Sequence, residues 1–394
     1  MTRPRGSGYA RRKQRYARRK HSPLPPLLAH GRSERVRAAV EAKGADALVV
    51  TDLTNIRWCT GFTGSAGVLV ISRDRHVLIT DSRYRDQAPS QLEASGCEAE
   101  VLIGSDWVAA VATILKDLNG ADPARVALEA DRIVWADQRR LSDALAAELA
   151  ESVGLIAELR SVKDEAELIR IQTAADIVDS VLEESQDRFV AGMSERELAQ
   201  ILDDGMRAAG ADGPAYDTIV ASGPNAALPH ACAGSRRLAN GDLVVVDAGA
   251  LVEGYRSDMT RTFVVGSPDD RAVEIHDIVT RAQAEGVATV RAGVEAGEID
   301  RVCRDFIARG GYGDAFVHGT GHGVGLDIHE LPAVRRGNTA ILSPGQVITV
   351  EPGIYLPGYG GVRVEDTVVV TTDGCRPLTK YPKEFVCLSS QPTI

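Results

Sequence analysis

Two acidic residues in the middle of the chain, Asp247 and Asp258, occur at a spacing that suggests a shared cation. Apolar residues flank Glu253-Gly254, so the segment 243–258 is predicted to be a β-hairpin that turns near residues 252–253. A hairpin centred there pairs Asp247 with Asp258, and facing Cβ atoms in such a pair lie roughly 4.5–5.5 Å apart. Two carboxylates held at that distance repel each other unless a cation lies between them. The pattern predicts a metal site, although a salt-bridged surface hairpin alone would produce it too.

A second acid pair repeats this arrangement near the C-terminus. In the segment 350–365 the turn is centred on Gly358, which places Glu351 opposite Glu365. Both acids lie at the ends of apolar, β-rich runs, where an unpaired carboxylate would be costly to bury. Chance explains two hairpins of the same geometry far less readily than one. We therefore predict that the four carboxylates converge on bound cations.

Three histidines, His318, His322 and His329, lie between the two hairpins in a glycine-rich segment. The spacing of His318 and His322 would suit a helical zinc site, but the glycines make a helix improbable. The glycines indicate instead that the backbone must approach another group closely. One imidazole with four carboxylates forms an oxygen-rich set, which favours Mn²⁺, Co²⁺ or Fe²⁺ over a structural thiolate zinc site.

The strings that contain these residues resemble the pita-bread metallopeptidases, specifically the branch of Xaa-Pro aminopeptidases and Xaa-Pro dipeptidases (prolidases). They are GPNAALPH, which ends at His230, DAGALVEGYRSDMTRTF, HGTGHGVGLDIHE, VEPGIYLPG and GGVRVEDT. Their order and spacing match across residues 215–370, and TNIRWCTGFTGS resembles part of the family's smaller domain. The resemblance covers nearly all of residues 32–390. It implies an α/β N-terminal domain followed by an α+β pita-bread catalytic domain.

The resemblance also implies a site with two divalent metal ions, with Mn²⁺ as the first choice and Co²⁺, Fe²⁺ or Zn²⁺ as alternatives. The implied metal ligands are Asp247, Asp258, His322, Glu351 and Glu365. The implied catalytic residues are Glu351, which would carry a proton from water to the leaving nitrogen, and His230, His318 and His329, which would contact the substrate carbonyl oxygen. Arg363, two residues before Glu365, is predicted to orient a ligating carboxylate.

Substrate length is the point on which the two activities of this branch differ. A dipeptidase must bind the free carboxylate of the C-terminal proline, usually with an arginine. Some prolidases have an arginine four residues after the histidine that matches His329; here that residue is Ala333, with Arg335 and Arg336 close behind. This departure favours an Xaa-Pro aminopeptidase that accepts longer peptides. Xaa-Pro dipeptidase is the alternative, and a non-catalytic pita-bread binding protein is a more distant one.

The elements that must position these residues are predicted to form two domains after a basic, disordered tail at residues 1–31. In the domain at 32–160, short apolar strands alternate with helices at 32–43, 83–93, 106–118 and 136–150, which predicts a mixed or mostly parallel sheet. The catalytic domain at 161–394 begins with a long amphipathic helix. A second helix follows, with Ser194 and Glu197 forming its capping box.

Composition limits the class of protein. The chain has 394 residues, 44% of them hydrophobic, which is typical of a soluble globular protein. No apolar run approaches the roughly 18 residues of a membrane helix, so no membrane association is expected. Six cysteines without a C-x-x-C pattern are typical of free thiols in a cytoplasmic protein.

Charge is distributed unevenly along the chain. Because the first 20 residues carry nine basic side chains and no acid, the other 374 residues have a net charge of −19 within the total of −10. The acidic body argues against nucleic-acid binding outside the tail. For the tail, a solvated segment without a specific role is the preferred interpretation; an anion-binding arm, an organellar presequence or a start codon assigned too far upstream are alternatives. The resemblance implies proline-containing peptide substrates and a homodimer.

Overall fold

The computed structural model describes residues 23–116 and 125–390, and residues 1–22 of the predicted tail lie outside them. The described chain forms two compact units, Pro25–Arg160 and Ser161 onwards. Ala29 is buried and its N–H donates to the carbonyl oxygen of Ser95 at 2.8 Å. The first unit therefore begins upstream of residue 32, where the sequence had suggested a disordered tail.

The first unit is a six-stranded sheet flanked by helices. Its strands are β1 Ala47–Val50, β2 Val68–Ser72, β3 His76–Thr80, β4 Glu100–Ile103, β5 Arg125–Glu129 and β6 Glu148–Ser152. Its helices are α1 Arg32–Ala42, α2 Leu53–Thr60, α3 Gln87–Ser95, α4 Trp107–Lys116, α5 Trp135–Ala144 and α6 Leu155–Ser161, the last ending at the boundary between the units. The strand order is β4-β3-β2-β1-β5-β6, with β2 antiparallel to both neighbours and the other pairs parallel. The mixed α/β sheet predicted from the sequence is confirmed.

One predicted element of this unit is wrong. The helix expected over 136–150 ends at Ala144, and Glu148–Ser152 forms the edge strand β6, which pairs in parallel with β5. The backbone turns extended at Leu145, with φ −105° and ψ 134°. The segment is rich in alanine and leucine, which favour helix, but pairing with the exposed edge of β5 overrides that preference.

Among its described residues, the second unit contains two pairs of helices and several small sheets, whose strands pair antiparallel except for Thr260–Val265 and Val386–Leu388, which pair in parallel. Its helices are α7 Glu165–Ser185, α8 Glu195–Ala208, α9 Asp270–Thr289 and α10 Ala296–Arg309. Its strands are β7 Gly213–Pro214, β8 Ile219–Ser222, β9 Leu243–Asp247, β10 Ala250–Val252, β11 Tyr255–Arg256, β12 Thr260–Val265, β13 Gly321–Gly323, β14 Glu330–Val334, β15 Val347–Val350, β16 Gly353–Leu356, β17 Gly360–Arg363, β18 Asp366–Val370, β19 Cys375–Pro377 and β20 Val386–Leu388. The predicted capping box of Ser194 and Glu197 begins α8.

Two apolar cores support the sheets of this unit. One joins α7 and α8 to β8, β9 and β12, and the other joins α9 and α10 to β15, β17 and β18. The strands that carry the acid pairs are thus backed by helices on their apolar faces. No helix among the described residues is long and apolar enough to cross a membrane.

Candidate metal centre

The first acid pair is brought together by a hairpin whose register differs from the predicted one. Val252 pairs with Tyr255, and Asp247 pairs with Thr260 instead of Asp258. The difference arises at the turn, because Glu253 and Gly254 both have positive φ, 43° and 86°, and form a tight two-residue loop. The direct pairing of the two aspartates was therefore a wrong prediction, and Asp258 lies just before β12.

The second acid pair has the predicted register. In the hairpin β16–β17 Gly353 faces Arg363, and in the ladder β15–β18 Val350 faces Asp366. Glu351 and Glu365 lie between these two ladders. The residue pairing continues from one ladder to the other without a shift. They are therefore opposite each other, as the turn centred on Gly358 predicts.

His322 enters the same cluster from β13. Its Nδ1 lies 2.9 Å from the carbonyl oxygen of Gly323, which can only accept a hydrogen bond, so Nδ1 carries the proton. Its Nε2 is therefore unprotonated in the neutral ring and lies 3.5 Å from Asp258 Oδ2 and 3.4 Å from Glu351 Oε1. Burial lowers the pKa of His322 to about 4. A neutral imidazole with this tautomer is a suitable metal ligand.

The carboxylates of the cluster are deeply buried and close to one another. Burial and the neighbouring acids raise the pKa values of Asp258 and Glu365, and burial raises that of Glu351 to about 8. Ligand atoms of Asp258, His322 and Glu365 lie within 4.8 Å of one another. Glu365 Oε1 is buried and has no hydrogen-bond partner among the described residues, although Oε2 accepts from Thr260 at 2.7 Å. This donor set fits divalent cations, which would satisfy the free oxygen and offset the clustered negative charge.

Sequence reasoning missed Tyr216, which lies between the first two acids. Its hydroxyl is 2.5 Å from Asp247 Oδ1 and 2.5 Å from Asp258 Oδ1. A phenol has one proton, so it can donate fully to only one carboxylate at a time. Tyr216 follows β7 and belongs to no spacing pattern with the acids, so the sequence contained no signal that could have located it.

Arg363 connects the cluster to His318 through a chain of hydrogen bonds. Its Nη2 donates to Asp247 Oδ2 at 2.7 Å and its Nη1 donates to the Tyr355 hydroxyl at 2.9 Å. That hydroxyl lies 2.8 Å from His318 Nε2. The sequence predicted that Arg363 orients a ligating carboxylate, and the structure places it on Asp247.

His318 has both ring nitrogens engaged within the chain. Its Nδ1 lies 2.7 Å from the carbonyl oxygen of Gly319, so Nδ1 donates and Nε2 accepts from Tyr355. Burial and the charge of Arg363 lower the pKa of His318 to about 4. In this arrangement the ring is neutral and has no free N–H for a substrate oxygen.

The cluster opens into a cavity of about 700 Å³. Its lining includes Asp247, Asp258, His322, Glu351, Arg363, the three predicted histidines His230, His318 and His329, and also Asp203 and Arg335. His230 and His329 have no hydrogen-bond partner among the described residues. The ring of His329 packs edge-on against His322, with centroids 4.4 Å apart. The structure thus brings every predicted site residue except Glu365 to the wall of one cavity, and Glu365 lies buried behind it.

Comparison with known protein families identifies the family to which the chain belongs. Residues 169–372 match metallopeptidase family M24, and residues 32–162 match the creatinase/prolidase N-terminal domain. The chain belongs to metallopeptidase family M24. Its two domains are therefore the creatinase-type N-terminal domain and the pita-bread catalytic domain of that family, as the sequence predicted.

Xaa-Pro peptidases of other organisms resemble the chain in sequence and in structure. An Xaa-Pro dipeptidase of Pyrococcus horikoshii is 45% identical over 232 residues, which cover 59% of this chain and 66% of that protein. The structure of an Xaa-Pro dipeptidase from Bacillus anthracis superposes with a TM-score of 0.87 at 39% identity, covering 91% of this chain and all of that one. An X-Pro aminopeptidase from Thermotoga maritima gives a TM-score of 0.81 at 38% identity, covering 91% of this chain and 100% of that one.

Proposed function

We propose that this M24 peptidase hydrolyses the Xaa-Pro bond of dipeptides with the help of two divalent metal ions, preferably Mn²⁺. The observation that carries the proposal is the convergence of buried Asp258, His322 and Glu365 ligand atoms beside Asp247 and Glu351 at one wall of the cavity. The proposed ligands are the five residues predicted from the sequence. Homodimer formation and a cytoplasmic location stay predictions of the sequence.

Residues of the chain are assigned to proton transfer, to binding of the carbonyl oxygen and to positioning. Bound divalent cations would lower the pKa of a water molecule and polarise the scissile carbonyl group. Glu351 borders both the cluster and the cavity, so its carboxylate is placed to accept a proton from the attacking water and pass it to the proline nitrogen. His230 and His329 are placed to donate to the carbonyl oxygen. Because both nitrogens of His318 are engaged, we assign His318 to positioning Tyr355 and Arg363.

Two observations support dipeptides over longer peptides, which reverses the preference drawn from Ala333. First, two similar sequences and one similar structure carry the name Xaa-Pro dipeptidase. Second, Arg335 lines the cavity, while its neighbour Arg336 does not. The Arg335 guanidinium has no hydrogen bond or ion pair with any described residue. A cation without a protein partner is suited to binding the carboxylate of a C-terminal proline.

The position of Arg335 is fixed by a close backbone approach. A Cβ at Gly319 would lie 3.1 Å from the Cβ of Arg335 and 3.2 Å from the Val334 carbonyl oxygen. Glycine at 319 therefore lets the end of β14 pack directly against the segment that carries His318. This places Arg335 beside the histidine-lined wall of the cavity.

The proposal is tested by comparing Ala-Pro with Ala-Pro-Ala as substrates of the purified, Mn²⁺-loaded protein. We expect kcat/KM for Ala-Pro to exceed that for Ala-Pro-Ala by roughly tenfold or more, because the tripeptide lacks a carboxylate at the proline. A preference for Ala-Pro-Ala would support the aminopeptidase instead. Failure to cleave either substrate would remove the peptidase assignment.

The metal site is tested by Asp258→Asn, with Asp203→Asn as the matched control. Asp203 also lines the cavity but bonds to Thr218 at 2.6 Å, away from the acid cluster. We expect Asp258→Asn to lose bound metal in elemental analysis and to lose activity, while Asp203→Asn retains its metal. Full metal content in Asp258→Asn would refute the proposed ligand set.

A further inference from the structure

Glu195, in the first turn of α8, is a fully buried carboxylate with relative exposure 0%. It forms no ion pair with a lysine or arginine in the part of the chain that the structure describes. Its oxygens instead accept hydrogen bonds from one loop. Oε1 accepts from the Ser222 N–H at 2.9 Å and from the Ser222 hydroxyl at 2.7 Å, and Oε2 accepts from the Gly234 N–H at 3.0 Å. The Asn225 side-chain amide donates to Oε1 at 3.0 Å.

These donors lie at the two ends of the segment that contains His230. Ser222 ends β8 and Gly234 lies four residues after His230, so one carboxylate ties together both ends of the loop. The helix backbone adds to this attachment, because the Glu195 N–H donates to the Arg236 carbonyl oxygen and the Arg196 N–H donates to that of Gly234, each at 3.0 Å. The start of α8 therefore anchors the loop through both side-chain and backbone hydrogen bonds.

The middle of the loop is attached to the metal centre. Arg363 Nη1 donates to the carbonyl oxygen of Pro229, the residue before His230, at 3.2 Å. A Cβ at Gly361 would lie 2.1 Å from the Ala226 carbonyl oxygen, so the loop lies directly on β17. With its ends on Glu195 and its middle on β17 and Arg363, the loop has one defined path into the cavity.

A carboxylate is suited to this task in a way that an amide is not. Its two oxygens only accept hydrogen bonds, and the donors here surround both oxygens. Hydrogen bonds to an ionised acceptor are also stronger than those between neutral groups. Glutamine would present an NH₂ group to one set of donors and leave a buried N–H without an acceptor.

We propose that Glu195 is a positioning residue that holds the His230 loop in the geometry required for substrate contact. The proposal rests on the proposed function for the role of His230, and it adds a residue far from the metal ligands in sequence that controls that role. Glu195 does not reach the cavity lining, so it acts through the loop and not on the substrate.

The activity test is a double-mutant cycle that combines Glu195→Gln with His230→Ala. We expect Glu195→Gln alone to lower kcat/KM for Ala-Pro roughly tenfold to a hundredfold, because a displaced contact group loses that order of rate. In the His230→Ala background the same change should have little further effect, since the contact it positions is already gone. Equal losses in both backgrounds, or no loss in the first, would overturn the proposal. A general structural defect would give equal losses.

Hydrogen exchange and metal analysis test this proposal independently of the proposed function. Hydrogen exchange should accelerate at the Ser222 and Gly234 amides in Glu195→Gln, with metal content unchanged. This readout requires no activity, so it tests the loop attachment even if neither peptide is cleaved. Glu197→Gln is the matched control, because Glu197 lies in the same helical turn and bonds to Ser194, not to the loop. Unchanged exchange at both amides in Glu195→Gln would also overturn the proposal.

Discussion

At the scale of single residues, hydrogen bonds within the chain determine which polar side chains of the cavity are available to bind a ligand. His318 is neutral and hydrogen-bonded at both nitrogens, whereas the side chains of His230 and His329 have no hydrogen-bond partner among the described residues. Arg363 is committed to Asp247 and Tyr355, whereas Arg335 is not committed to any described acid. Hydrogen bonding within the chain thus distinguishes the histidines and arginines that hold the site together from those that remain available for a ligand.

Arg335→Ala tests the assignment of the free guanidinium. We expect KM for Ala-Pro to rise roughly tenfold to a hundredfold with kcat little changed, because a charged hydrogen bond of about 1.5–3 kcal/mol is lost equally from the bound substrate and the transition state. Ala-Pro-amide, which lacks the carboxylate, should be cleaved equally by the wild type and the variant. Steady-state kinetics on both substrates measure this.

Arg336→Ala is the matched control, since Arg336 is the adjacent exposed arginine and does not line the cavity. An equal rise of KM in Arg336→Ala would mean that only overall charge matters. An unchanged KM in Arg335→Ala would show that another group binds the carboxylate.

At the scale of elements, turn geometry explains which register could be predicted. The hairpin around Gly358 has a loop centred where its glycines indicated, so the pairing of Glu351 with Glu365 followed from counting residues. The register predicted around Glu253 failed because the turn was centred one residue too early. The loop is Glu253-Gly254, and Glu253 has φ 43°, a conformation that glutamate rarely adopts. Local sequence specifies a register only when the turn residues are typical of their turn.

The glycines of β13 determine how closely His322 approaches the acids. A Cβ at Gly321 would lie 2.1 Å from the Thr349 carbonyl oxygen, so β13 could not lie against β15 with a side chain there. We expect Gly321→Ala to cost about 1–3 kcal/mol of unfolding free energy and to weaken metal binding by displacing His322. Urea unfolding and metal titration measure the two effects.

Gly374→Ala is the control for this change, because a Cβ there would have no described atom within 4 Å and its φ is not in the left-handed region. It should leave both stability and metal affinity near the wild-type values. Wild-type metal affinity in Gly321→Ala would contradict the role assigned to this close approach.

At the scale of the whole molecule, buried titratable groups outside the site make stability depend on pH. His276 lies on α9, is 7% exposed and stacks on Phe385 with ring centroids 4.3 Å apart. Burial lowers its pKa from 6.5 to about 4. Between these values the unfolded chain binds a proton that the folded chain does not, so stability falls as the pH falls from 6.5 towards 4.

His276→Phe should remove this contribution. Between pH 7.5 and pH 5 we expect the wild type to lose up to about 2 kcal/mol more unfolding free energy than the variant. Urea unfolding of both proteins at the two pH values, with metal present, gives the comparison. Parallel losses in the two proteins would show that His276 titrates normally in the folded state.

Much of the architecture could be predicted because it depends on local pattern. The α/β unit, the second hairpin and the capping box of α8 all follow from periodicity and turn residues. The β6 strand could not be predicted, because the alanine- and leucine-rich segment 144–150 that leads into it favours helix and only the free edge of β5 makes it a strand. Tyr216 and Glu195 act through contacts between distant segments, and a single sequence contains no measure of those contacts.

The raised pKa values in the acid cluster imply that metal loading is also an acid–base reaction. With a pKa of about 8, Glu351 carries a proton at pH 7 in the metal-free chain, and the pKa of Asp258 is raised as well. A cation binds the carboxylate form, so metal uptake should release protons into the solvent. Metal affinity should therefore rise with pH through neutrality. The heat of metal binding should also vary with the ionisation enthalpy of the buffer that receives those protons.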